Sequence, residues 1–182
     1  MKERTEFDSN LARAHSMNFG LWVGILCSLS FLFAVYARGG LLLAQLGNLL
    51  GIFAIILAGM FLRKYREVIS PLTFGQACRI AFLTYFFASL ITAVVQFIYF
   101  RYLDHGQLAE QMTNLLESPE YQQMLQRLSG QSDVKDIVES ATSLLYNPIQ
   151  MTIQLTWMNL ILSIILTPLT ALIGITGGKK NK

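Results

Sequence analysis

Cys27, Cys78, His15, His105 and Asp104 are the side chains of this 182-residue sequence whose types could form a disulfide, ligate a metal or move a proton. Their spacing serves none of these. Neither cysteine has a CxxC partner, and HExxH, phosphate-loop and GxSxG patterns are missing. Asp104 and His105 are adjacent as an acid/base pair would need to be in space, but sequence neighbours seldom orient each other for proton transfer, and no nucleophile accompanies them. No catalytic, cofactor-binding or metal-ligating residue is therefore assigned, and a non-enzyme is expected. One cation, Arg79, stands at the start of a long apolar run, "ACRIAFLTYFFASLITAVVQFIYF", and its position has to be accounted for.

The elements that carry these residues are apolar blocks. The sequence is 53% hydrophobic and 14% charged, against about a quarter charged in a soluble domain, and its mean hydropathy is +0.47. The apolar residues concentrate at about 17–37, 41–62, 77–100 and 149–175, each long enough at 1.5 Å per residue to cross a hydrocarbon layer of roughly 30 Å. A chain of this length could not cover four all-apolar helices with protein, and in lipid a spanning segment must satisfy its own backbone as a helix. The first block is too long and bulky for a signal core and is read as a retained helix. The expected fold is an all-α integral membrane four-helix bundle with an amphipathic helical insert between helices 3 and 4. Its organisation is a cytoplasmic N-terminal segment (1–16), three spans (17–100), an external helical insert (101–147), and the last span with a basic tail (148–182).

Charge fixes a direction. The 14 Lys and Arg fall as three, one, four, three and three in the five segments that alternate sides, so ten lie with the termini and four opposite. The positive-inside rule then puts both termini in the cytoplasm. Arg79 sits one turn inside the cytoplasmic end of block three, where its stem can run along apolar surface while the guanidinium reaches headgroups; a cation lining a transport path is the alternative. Arg63, Lys64 and Arg66 read as topology determinants or as attractors of anionic lipid. Trp22 and Tyr65 are expected at the inner interface and Tyr36, Tyr99, Tyr102 and Tyr146 at the outer one. With Cys27 deep in block one and Cys78 near the inner end of block three, no intrachain disulfide is expected. His15 and His105 fall on opposite sides and cannot share a metal.

Gly20-x-x-x-Gly24 and Gly47-x-x-x-Gly51 put small residues on one helix face, for close packing inside the bundle or along a homodimer seam. Five amides, Gln45, Asn48, Gln96, Gln154 and Asn159, fall between the outer interface and the midplane. They are expected to converge on an interior polar layer, as structural glue or as the lining of a hydrated cavity, because an amide facing lipid is unsatisfied. No Asp or Glu lies in any span, which argues against a proton-coupled carrier. Between blocks three and four, residues 101–147 carry seven acids and three bases. Ser118-Pro119-Glu120 reads as a helix start and Gly130 as its stop, with Tyr121, Met124, Leu125 and Leu128 on one apolar face. A second helix is expected from Ser132-Asp133 through Val134, Ile137, Val138, Ala141, Leu144 and Leu145, ended at Asn147-Pro148. These helices could lie on the membrane, pack over the bundle, or dock a partner.

Two stretches carry a resemblance. Pro71-Leu72-Thr73-Phe74-Gly75-Gln76-Ala77 and Ile98-Tyr99-Phe100-Arg101-Tyr102-Leu103-Asp104 are similar to the central signature of the bacterial membrane family catalogued as domain of unknown function 4199, and the order of elements agrees over nearly the whole chain. Gln76 replaces the usual acid of the first motif, and His105 follows Asp104 where proline is common. The resemblance implies a four-helix integral membrane protein and no activity. The expected role is a structural or protein-interaction component of a bacterial inner membrane, with a small transporter or channel subunit using the polar layer as the alternative. The expected partners are the lipid bilayer, a membrane or periplasmic protein held through residues 101–147, and a second copy of the chain; no nucleic acid and no cofactor are implied. Alkaline phosphatase fused within 101–147 is expected to be active and the same enzyme fused after Lys182 inactive; the opposite pattern would overturn the orientation.

Overall fold

The computed structural model describes residues 9–37, 41–68, 72–129 and 142–176. Helix α1 is Ser9–Tyr36, α2 Leu41–Val68, α3 Phe74–Ile98, followed by a π-helical turn at Tyr99–Leu103; α4 is Gln107–Leu116, α5 Pro119–Ser129 and α6 Pro148–Thr176. Among the described residues, four helices are long and apolar enough to cross a membrane. They are the four blocks expected above, extended at several ends by turns that carry polar residues. The expected second insert helix lies largely outside the described residues, as does Gly130, the stop expected for the first, and Thr142–Leu145 of that region is seen as helix.

Local chemistry sets the helix ends. The backbone N–H of Thr73 donates to Gln76 Oε1 at 3.0 Å, and that of Gln76 donates to Thr73 Oγ1 at 3.4 Å. This is a reciprocal capping box, which satisfies two of the donors a helix start leaves open. Glutamine serves the third helical position as an acid would, so the departure at Gln76 costs the cap little. Ser118 Oγ accepts from Tyr121 N–H at 3.4 Å at the start of α5. Asn147 Oδ1 accepts from Ile149 N–H at 3.1 Å, with Pro148 at the first helical position of α6.

The chain divides into two compact units, residues 1–94 with 156–182, and residues 95–155. In the first, small residues lie inside and large ones outside. Ala12, Ser16, Gly20, Gly24 and Ser28 are buried every fourth residue of α1. They face an equally regular row on α3, because Ser16 Oγ lies 3.4 Å from Ile80 O, a Cβ on Gly20 would stand 2.9 Å from Thr84 O, and one on Gly24 would stand 3.0 Å from Ala88 O. Thr92 Oγ1, which donates to Ala88 O at 2.9 Å within α3, closes the row by lying 3.4 Å from Gly24 O. Gly47 brings α2 equally close to α1, where Ser30 Oγ donates to Gly47 O at 2.7 Å. Tyr85 and Thr170 hydroxyls, 2.6 Å apart, tie α3 to α6.

α2 also meets α6, where a Cβ on Gly59 would stand 3.1 Å from Ile173 Cγ2. Leu62 packs on Gly174, and Arg66, four residues on, donates from Nη1 to the carbonyls of Gly174 and Ile175. These are among the last carbonyls of α6, which have no partner inside the helix, and the cation also offsets the negative end of its dipole. Arg66 was read from sequence as a topology charge; it is also a helix cap. In sequence each helix was expected to be uniformly apolar, and the structure shows why an amphipathic period is weak: leucine and isoleucine face outward, with Leu41 79% and Ile164 61% exposed, while Ala54, Ala77 and Ala171 are at most 1% exposed. That pattern suits lipid and would be untenable in water.

The aromatic side chains expected at the interfaces differ in burial. Trp22, Tyr36, Tyr102 and Tyr146 are exposed, but Tyr65 and Tyr99 are buried. Tyr65 packs edge-on against His15 with ring centroids 5.0 Å apart, so its ring faces α1. Arg79 is exposed, and Cys27 and Cys78 are half-buried free thiols.

The glycines differ in a testable way. A Cβ on Gly20 would stand 2.6 Å from Phe87 Cβ, whereas one on Gly75 in α3 meets nothing within 4 Å. In thermal unfolding in detergent followed by circular dichroism, Gly20→Ala is expected to destabilise by about 1–3 kcal/mol through overpacking, and Gly75→Ala to stabilise by roughly 0.5–1 kcal/mol.

Candidate functional site at the end of the third helix

The second unit contains the most constrained chemistry. At Tyr99–Leu103 the helix widens to the π form, and Asp104 N–H closes the turn on Tyr99 O at 3.0 Å. The wider turn brings the ends of a five-residue separation together: Tyr99 OH donates to Asp104 Oδ1 at 3.2 Å, a pairing an α-helix would place on different faces. The same carboxylate, 4% exposed, accepts Leu108 N–H at 3.1 and 3.2 Å, so it caps the start of α4.

Two left-handed residues then reverse the chain, His105 at φ +47° and Gly106 at φ +80°. Proline, whose φ is held near −65°, could not occupy position 105 in this turn, so histidine here goes with the turn observed. His105 is exposed while Asp104 is buried and its oxygens are taken by Tyr99 and Leu108. The adjacent pair is a turn with a cap, and its geometry does not form an acid/base couple. Beside it, Phe97, Arg101, Tyr146, Asn147, Pro148 and Ile149 line an open groove of about 520 Å³. Arg101 is the one charged side chain of that lining.

The other expected sites fall out separately. Gly20 and Gly24 face α3, and Gly47 and Gly51 face α1. Of the five amides, Gln45, Asn48 and Gln154 are exposed, Asn159 is half-buried and Gln96 alone is buried, with no hydrogen-bond partner for Oε1. A single interior layer of five amides is not what this chain forms. On α2 the reason is plain: Gly47, Ala54 and Ala58 are buried, and Gln45 and Asn48 fall away from that face. Of the apolar face expected on α5, Tyr121 is half-buried and Met124 is 52% exposed. The side chains of Leu125 and Leu128 lie outside the described residues.

Sequence reasoning quoted Tyr99 and Asp104 without joining them, since a five-residue spacing is no signal of contact on an α-helix. It gave no sign of the Arg66 cap, whose acceptors are over a hundred residues distant.

Four membrane-length helices packed through small residues, with large apolar side chains outward, define a multi-pass integral membrane protein. Within that class the chain belongs to the family described as protein of unknown function (DUF4199), which matches residues 18–174. The match takes in nearly all of the four long helices and both motifs discussed above. No curated protein and no solved structure matches the chain.

Hydrogen exchange at the Leu108 amide tests the clamp. Asp104→Ala is expected to speed it and to cost about 1–3 kcal/mol of stability, and Tyr99→Phe about 1 kcal/mol. His105→Ala is expected to leave the amide protected; equal loss there would assign the effect to the turn instead of the carboxylate.

Proposed function

We propose that this protein is a non-enzymatic structural or protein-interaction component of a bacterial inner membrane, with both termini cytoplasmic and the segment between α3 and α6 presented on the outer side. The observation that carries this reading is the pairing of a fixed stem with an uncovered surface. Asp104 anchors the start of α4 by accepting the Leu108 N–H on its carboxylate oxygens. Beyond it, Met112 is 42%, Leu115 56% and Met124 52% exposed on helices with a marked apolar side. Exposed methionine on an amphipathic helix is an adaptable contact surface. The acids of this segment make anionic lipid a poor partner for it.

A small transporter or channel subunit is the second reading. It draws on Gln96, whose buried Oε1 lacks a partner within a span and would be met by water or a passing polar ligand.

Photoreactive residues at Met112 and Met124 in the full chain, crosslinked in cells and analysed by mass spectrometry, separate the two. Reproducible capture of one membrane or periplasmic protein, lost when Leu115 is changed to Ser, supports the docking role. Adducts only within the chain itself would overturn it and favour the second reading.

A further inference from the structure

The outward amides of α2 point to a partner inside the membrane. Gln45 and Asn48 are exposed, and neither is hydrogen-bonded among the described residues. Together with Ile52 (57% exposed) and Ile56 (49%) they form one stripe at i, i+3, i+7 and i+11. At 1.5 Å per residue from Leu41, Gln45 lies about 6 Å and Asn48 about 10 Å along the helix. A glutamine at the shallower position can reach toward the headgroups. The short asparagine one turn deeper cannot, and hydrocarbon offers its amide neither donor nor acceptor.

The small residues of α2 cannot serve as the meeting surface, because Gly47 and Gly51 already lie against Ser30 of α1. We propose that a second copy of this chain covers the stripe, making a homodimer across α2 in which Asn48 amides, flanked by Gln45, bond one another. An amide carries both donors and an acceptor, so it complements itself across a two-fold axis. A second copy brings an amide to the matching depth by construction, whereas a foreign helix would need one placed there independently. Ile52 and Ile56 continue the contact below it. This interface is separate from the α4–α5 surface, and either can fail without the other.

The test uses the full chain carrying two different epitope tags, co-expressed, with a photoreactive residue at Ile52 or, for comparison, at Val94 of α3, which is 61% exposed. From Ile52 an adduct containing both tags is expected, several-fold stronger than from Val94. Asn48→Leu, at an exposed site that leaves the monomer fold intact by circular dichroism, is expected to weaken it roughly five- to tenfold, while Asn48→Gln retains most of it. Gln154→Leu, at the exposed amide of α6, should leave it unchanged. The proposal is overturned by absence of a two-tag adduct from Ile52, by an adduct indifferent to Asn48→Leu, by one lost on Gln154→Leu instead, or by capture of a foreign protein alone.

Discussion

In a bilayer a leucine gains nothing by leaving its solvent for the company of other leucines, since both are hydrocarbon. Helices must be held together by closeness and by polar bonds, and everything in this bundle follows from where backbones can approach. The row Ala12, Ser16, Gly20, Gly24 and Ser28, one residue in four, is that place. Along it α3 comes so near that side-chain hydroxyls reach the neighbouring backbone, at Ser16 with Ile80 O and at Thr92 with Gly24 O. Both hydroxyls donate over a shorter distance within their own helix, and the approach across the pair is the second, longer contact. The glycines matter chiefly because they permit the distance at which dispersion and these bonds operate together.

The two stretches that carry the family resemblance acquire a common physical meaning. Thr73 and Gln76 start α3 with a reciprocal cap, and Tyr99 and Asp104 finish it by widening the last turn and starting the next helix. Both are devices for ends, and they bracket a single helix. Together they specify where a span begins and how the chain leaves it.

What could be read from the residues was what is local. Spans, the Ser118-Pro119 helix start, the break at Asn147-Pro148 and the close-packing glycines are written in neighbouring positions. Which face of α2 the amides occupy was not, since the inner face was claimed by Gly47, Ala54 and Ala58, and amides at equal depth need not share a side. Tyr65 was placed at the interface by its type, yet a ring partner on α1 draws it inside to 1% exposure. Arg66 and the Tyr85–Thr170 pair join positions 85 or more residues apart, and nothing in either segment alone announces them.

Arg66 has a consequence for how the protein is made. Its acceptors on α6 follow it by 108 and 109 residues, so during synthesis the guanidinium leaves the ribosome long before there is anything for it to hold. Until α6 arrives, water and headgroups must satisfy it, which keeps the end of α2 near the surface and unlocked. Docking of the last helix converts that waiting charge into a cap and seats Gly174 against Leu62 in the same motion. A chain truncated before Pro148 would retain three of the four long apolar helices, with the Arg66 guanidinium left without these two acceptors.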